Sequence, residues 1–148
     1  MRTFILFLSA ILLTTFEVDA QVEYKIITSV ESIVPAGLGR SRLVASEAER
    51  DYEEFTSDTE EEKRNKTKRS EIRVKEFEET KLLNFFNLGG IRFQNIVAND
   101  VVISSKLTAM AEEGWELAFV TSAVESDAGK DDGNGIFVTR YIFKRNKQ

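Results

Sequence analysis

The side chains able to do chemistry in this chain are almost all carboxylates and amines. Among its 148 residues there is no cysteine and no histidine. That absence removes thiol nucleophiles, imidazole bases, disulfides and the usual zinc ligands together. A carboxylate-only metal site, or hydrolysis by paired carboxylates, is what remains. Four stretches could carry such chemistry. Glu60, Glu61 and Glu62 form an acidic cluster, but a charge run is ordinarily a solvated face. Asp131-Asp132-Gly133-Asn134-Gly135 resembles a calcium loop loosely. Its ladder of ligands is missing, and the twelfth position from Asp127 is Val138 rather than Glu. Gly37-Leu38-Gly39-Arg40-Ser41-Arg42 has the look of a phosphate loop, yet it lacks both the GxGxxG spacing and the Walker lysine. Glu116 and Glu125 share a strand but lie too far apart along it to act as a pair. No catalytic residue, metal ligand or cofactor-binding residue is assigned.

The elements that would position any site are clearer. The organising stretch is Val101 to Val124. Ile103, Leu107, Met110 and Ala111 fall on one stripe of a helix. Asn99 or Asp100 can supply the oxygen that caps its start. Gly114 suits the left-handed residue that ends it. The period then changes to two. Trp115, Leu117, Phe119 and Thr121 alternate with Glu116, Ala118, Val120 and Ser122. The one tryptophan sits at the corner and is expected in the core, packed under the helix.

Two further strands flank this corner. Val22, Tyr24, Ile26, Thr28 and Val30 alternate with Glu23, Lys25, Ile27, Ser29 and Glu31 before Pro35. The last strand, Ile136 to Lys144, is apolar on both faces: Ile136, Val138 and Ile142 share one with Arg140, and Phe137, Thr139, Tyr141 and Phe143 share the other. Such a strand is expected in the centre of a sheet. Ser41 to Ser46 could form a short additional strand. Residues 47–79 are dense with charge and read as a flexible insertion, either a loop or a marginal helix. Within it Asn65-Lys66-Thr67 fits an N-glycosylation pattern, which has meaning only in a eukaryotic secretory pathway. Leu82, Leu83, Phe85, Phe86 and Leu88 will not stay in water. They are expected to cover the second face of the sheet, a role that a second copy of the chain could also fill.

Composition places the whole. Apolar residues make up 42% and charged residues 30%, with a net charge of -5. That is ordinary for one soluble globular domain, and no basic excess exists to neutralise phosphates, so nucleic acid is not an expected partner. Residues 1–20 read as a secretory signal peptide. Arg2 precedes the apolar run Phe4 to Phe16, and Val18-Asp19-Ala20 offers a cleavage site. The run is too short for a stable membrane span. The mature chain, residues 21–148, is expected to be one domain, exported to the periplasm or cell exterior. Arg2, Glu17 and Asp19 leave with the signal, so it keeps 19 basic and 23 acidic residues.

The expected fold is α+β: a small three-stranded antiparallel or mixed sheet, order 2-3-1, with one main helix on one face and a charged insertion. The segments Tyr24-Lys25, Gly114-Trp115-Glu116 and the closing Tyr141, Phe143 and Lys144 resemble the bacterial family called domain of unknown function 4177, within a group of secreted bacterial proteins. The resemblance covers Val22–Ser32 and roughly Asp100–Arg145. It implies a strand-helix-strand-strand fold and no established activity.

Three functions are open on this reading. One is a non-catalytic binding or interaction module of the periplasm or cell exterior, with an unidentified protein partner. A second is a self-associating structural protein, most simply a homodimer. The last is a carboxylate-dependent hydrolase. The residues singled out for structure or interaction are Gly114, Trp115, Phe137, Tyr141 and Phe143, with Phe137 and Tyr141 as the expected contacts.

Overall fold

A computed structural model describes residues 21–32, 41–58, 64–87, 89–125 and 136–147. The signal-like segment, the Gly37–Arg40 turn, the Glu60–Glu62 cluster and the 131–135 loop lie outside them.

Seven strands and one long helix follow in order. β1 is Val22–Ser32, β2 Arg42–Ala45, β3 Glu78–Lys81, β4 Phe86–Asn87, β5 Gly90–Ile91, α1 Phe93–Glu112, β6 Glu116–Glu125 and β7 Ile136–Asn146. The main sheet has five strands in the order β3-β2-β1-β7-β6, and β4 and β5 form a separate hairpin. Every pairing is antiparallel. The α+β class stands. The expected three-stranded sheet of order 2-3-1 is corrected to this five-stranded one. Two strands of only four residues each are added: β2, within Ser41–Ser46 where the sequence allowed a short strand, and β3, at the C-terminal end of the charged stretch. β3 reads Glu-Glu-Thr-Lys, a sequence with no apolar alternation to announce it. It stands at a sheet edge, where charged side chains are tolerated because water reaches them.

Described parts of the charged stretch are tied by local bonds. Asp51 caps a short 3-10 helix, Tyr52–Phe55, by accepting from the Glu53 amide. Asn65 closes the following loop: its Nδ2 donates to the carbonyls of Glu54 and Thr56, and its Oδ1 accepts from the Thr67 amide. The amide nitrogen that a glycan would need is therefore spent on the fold.

α1 starts at Phe93, well before the expected cap. Its N-cap, Arg92, makes no side-chain cap bond. Asn99 is no cap either. It lies inside the helix, 1% exposed, and its side chain points inward. Asn99 Oδ1 accepts from the Leu83 amide at 2.7 Å, and Nδ2 donates to the Leu83 carbonyl at 2.8 Å and to Glu31 Oε1 at 2.9 Å. Ser41 and Asn84 extend this lacing. Ser41 Oγ donates to Asn84 Oδ1 at 2.6 Å and accepts from the Ser32 amide at 3.0 Å, while Asn95 Nδ2 donates to the Asn84 carbonyl at 2.6 Å. An irregular buried segment must pair its backbone groups with something. Here asparagine and serine provide the partners.

The helix ends as its glycine requires. Gly114 has φ +83°. The Gly114 amide donates to the Ala111 carbonyl at 3.0 Å, and the Trp115 amide reaches back to Met110 at 3.0 Å. This pair of bonds is the Schellman arrangement, and it brings Trp115 against Met110 as such caps commonly do. Both belong to the core, with Ile27, Leu43, Ala45, Leu82, Ile103 and Phe143.

Registry fixes which side chains share a face. Lys25, Ile27, Ser29 and Glu31 stand opposite Phe143, Tyr141, Thr139 and Phe137. That face carries the core residues and is covered by α1. Phe85 packs there too, its ring 5.6 Å from that of Phe137. The phenylalanine-rich segment thus reinforces the helix side and does not cover the second face, as the sequence led one to expect. The outer face stays open because its would-be cover is already engaged.

Candidate binding surface

The outer face is built from alternate residues of β1, β7 and β6. Ile142 stands directly opposite Ile26 on one side and Phe119 on the other. The next row holds Tyr24, Lys144 and Glu116, with Lys144 and Glu116 paired at 3.5 Å. On the other side Arg140 lies between Thr28 and Thr121, then Val138 between Val30 and Ala123. Tyr24 is 66% exposed, Ile26 49% and Phe119 64%. These are large apolar side chains on the two strands that flank β7, with half-buried Ile142 between them, and a monomer rarely leaves such groups together in water. Arg140 is exposed in their midst, with no ion pair among the described residues.

Phe119 reaches this face through a bulge. Leu117 pairs with Phe143 and Phe119 with Ile142, which leaves Ala118 unmatched. The extra residue turns Phe119 to the face opposite Leu117. Strict alternation would have placed both together.

Toward β2 the face deepens into a groove. Val74 and Phe77 line it with Ile26, Thr28 and Val44, and the opening is about 530 Å³. An ion pair joins Arg42 and Glu79 in its wall at 2.8 Å. The floor is apolar and one charged pair is set beside it, a composition typical of binding clefts of this size.

The residues singled out in the sequence sit elsewhere. Trp115 and Phe143 are core, 8% and 1% exposed. The Arg145 guanidinium carbon lies 4.2 Å from the Trp115 ring centroid and the Lys25 ammonium 5.6 Å from it. Arg145 is held by Glu23 and Lys25 by Glu47. The two cations, from the interior strands β1 and β7, therefore cap the 8%-exposed indole, and the ring is not open to a ligand. Phe137 and Tyr141 are half-buried on the helix side. Burial pushes the Tyr141 hydroxyl above its ordinary pKa, and the Glu31 and Asp100 carboxylates push it the same way. The buried Ser29 hydroxyl beside it pulls the other way, by less than burial raises it. Tyr24, Ile26 and Phe119 carry the open face instead. The β1 alternation held the signal for the first two, since an apolar set opposed by Ile27 and Ser29 implies a face of its own.

Among the described residues no group of three or more acidic side chains is placed to hold a metal ion. Glu116 and Glu125 occupy opposite ends of β6. No helix among the described residues is long and apolar enough to cross a membrane. Comparison with protein-family models, with curated proteins and with solved structures finds no match.

Proposed function

We propose that the mature chain is a non-catalytic interaction module of the periplasm or cell exterior, and that it docks a protein partner on the sheet face opposite α1. The observation that carries this reading is the row Ile26–Ile142–Phe119 with Tyr24 beside it, an apolar patch across β1, β7 and β6 in which Tyr24, Ile26 and Phe119 are exposed and Ile142 is half-buried between them. Aromatic side chains exposed on a rigid sheet bury large area at low entropic cost on binding. Arg140 within the patch asks for an acidic group on the partner.

The test is capture of the tagged chain from Gln21 onward, after cross-linking in envelope and medium fractions, beside a Tyr24→Ser, Phe119→Ser double variant. A species held by the wild type and lost in the variant, at unchanged melting temperature, supports the reading. The same species retained by the variant overturns it.

A further inference from the structure

The two edges of the main sheet are unlike each other. β3 is four residues long and reads Glu-Glu-Thr-Lys. It is short and charged, which is how sheet edges are normally kept from pairing with strangers. β6 is ten residues long and reads Glu-Leu-Ala-Phe-Val-Thr-Ser-Ala-Val-Glu. Between its terminal glutamates it has no lysine, arginine or proline. Its ladder runs to β7 on one side only, so along the other its amides and carbonyls lack strand partners among the described residues. Its side chains are exposed on both faces. Phe119 lies on the outer one, and Val120 and Val124, 47% and 57% exposed, lie on the helix side.

We infer that β6 pairs with β6 of a second copy, antiparallel about a two-fold axis, to make one continuous sheet of ten strands. The asymmetry of the edges selects this partner. A head-to-tail contact would have to join β6 to β3, which is short and charged, and it would grow into a filament. An isologous β6–β6 contact consumes the open β6 edge of the main sheet in each copy and closes. The bulge at Ala118 also sets the register. Regular pairing with β7 runs from Phe119 to Glu125, and its centre is Ser122. A two-fold at Ser122 sets Val120 against Val124 of the partner copy on the helix side, an apolar pair one position in from each end of the seam, with Phe119 and Glu125 as the terminal pair. It keeps Glu116 out of the paired stretch. The contact uses the strand edge, so it stands apart from docking on the outer face.

The test is the mass in solution of the chain from Gln21 onward at high micromolar concentration, by sedimentation or light scattering. Three proteins are compared: wild type, the edge variant Val120→Lys, Val124→Lys, and the face variant Tyr24→Ser, Ile26→Ser. Wild type and face variant are expected as dimers and the edge variant as a folded monomer, with far-UV circular dichroism as the control for folding. The chain has no native cysteine, so Ser122→Cys, which gives up one hydroxyl contact to Thr139, offers a second readout without added charge. It should cross-link to itself on mild oxidation, whereas Glu79→Cys on β3 should not. A monomeric wild type overturns the inference and leaves outer-face docking standing. A dimer kept by the edge variant, or lost in the face variant, moves the contact off β6 and overturns it too. Species larger than a dimer contradict the closed pairing.

Discussion

Phe119 stands directly opposite Ile142, on the face of the sheet turned away from α1. One strand position further along β7, Phe143 is buried under the helix. Neighbouring residues of one strand thus serve opposite ends, surface and core, through the alternation of the pleat.

The contrast predicts a split in mutant behaviour. Phe143→Ala should cost about 3–5 kcal/mol of stability, the range for removing a fully packed aromatic. Phe119→Ala should fall within about 0.5–1 kcal/mol of wild type, because little of its ring is buried. Denaturant titrations followed by the fluorescence of the one tryptophan would measure both. Equal losses at the two positions would mean that Phe119 is covered in the free chain.

At the helix end the cost is one of backbone alone. Gly114 has φ +83°, and a Cβ added there would meet nothing within 4 Å. Gly114→Ala should therefore destabilise by about 1–2 kcal/mol, the penalty of an L-residue held left-handed. A cost well above that range would show a steric conflict that the structure does not contain.

Asn99 carries a larger obligation. Its side chain satisfies both backbone groups of Leu83 and reaches Glu31. Asn99→Leu should cost about 1–3 kcal/mol for the polar groups left without partners, although the new side chain is apolar and of similar size. Asn99→Asp sets a second carboxylate against Glu31, so its deficit should be greatest near neutrality and shrink as the pH falls through the carboxylate range. A pH-independent deficit would show that the Glu31 contact does not matter.

Tyr141 gives a prediction at the alkaline end. Its folded pKa lies above the ordinary 10.0, first because it is buried and then because Glu31 and Asp100 are near. A raised pKa means that the folded state holds the proton more tightly than the unfolded one. The stability this contributes is whole below pH 10 and is lost as the pH climbs through the folded value. Tyr141→Phe should melt with a shallower decline above that pH than wild type, and parallel curves would refute the assignment.

The legible parts of the chain were those with strong local grammar. The Met110–Gly114–Trp115 corner could be read because a glycine cap and a change of period both mark it. β1 was visible through its alternation and β7 through a run apolar on both faces. β2 was foreseen only as a short strand within Ser41–Ser46, without its place in the sheet, and β3 was not foreseen, because Glu-Glu-Thr-Lys has no apolar alternation and an edge strand need not be apolar. The helix start was misplaced because Asn99 has the chemistry of a cap, and only tertiary packing turns it inward to Leu83. The open face was hidden for a related reason. Apolar phenylalanines near Phe85 promised a cover for it, and sequence does not say to which side of a sheet a connecting segment folds. Nor does it register the bulge at Ala118 that turns Phe119 outward.

The most direct test of the account is hydroxyl-radical footprinting of Tyr24 and Phe119. Labelling would be compared between the purified chain at low concentration and the same chain in its native envelope or medium fraction, with buried Trp115 and Phe143 as internal references. The account predicts strong labelling of both residues in the dilute protein and several-fold protection in the native fraction, with the two references unchanged. Equal labelling of Tyr24 and Phe119 in the two settings would contradict it, because the outer face would then be bare where the protein works.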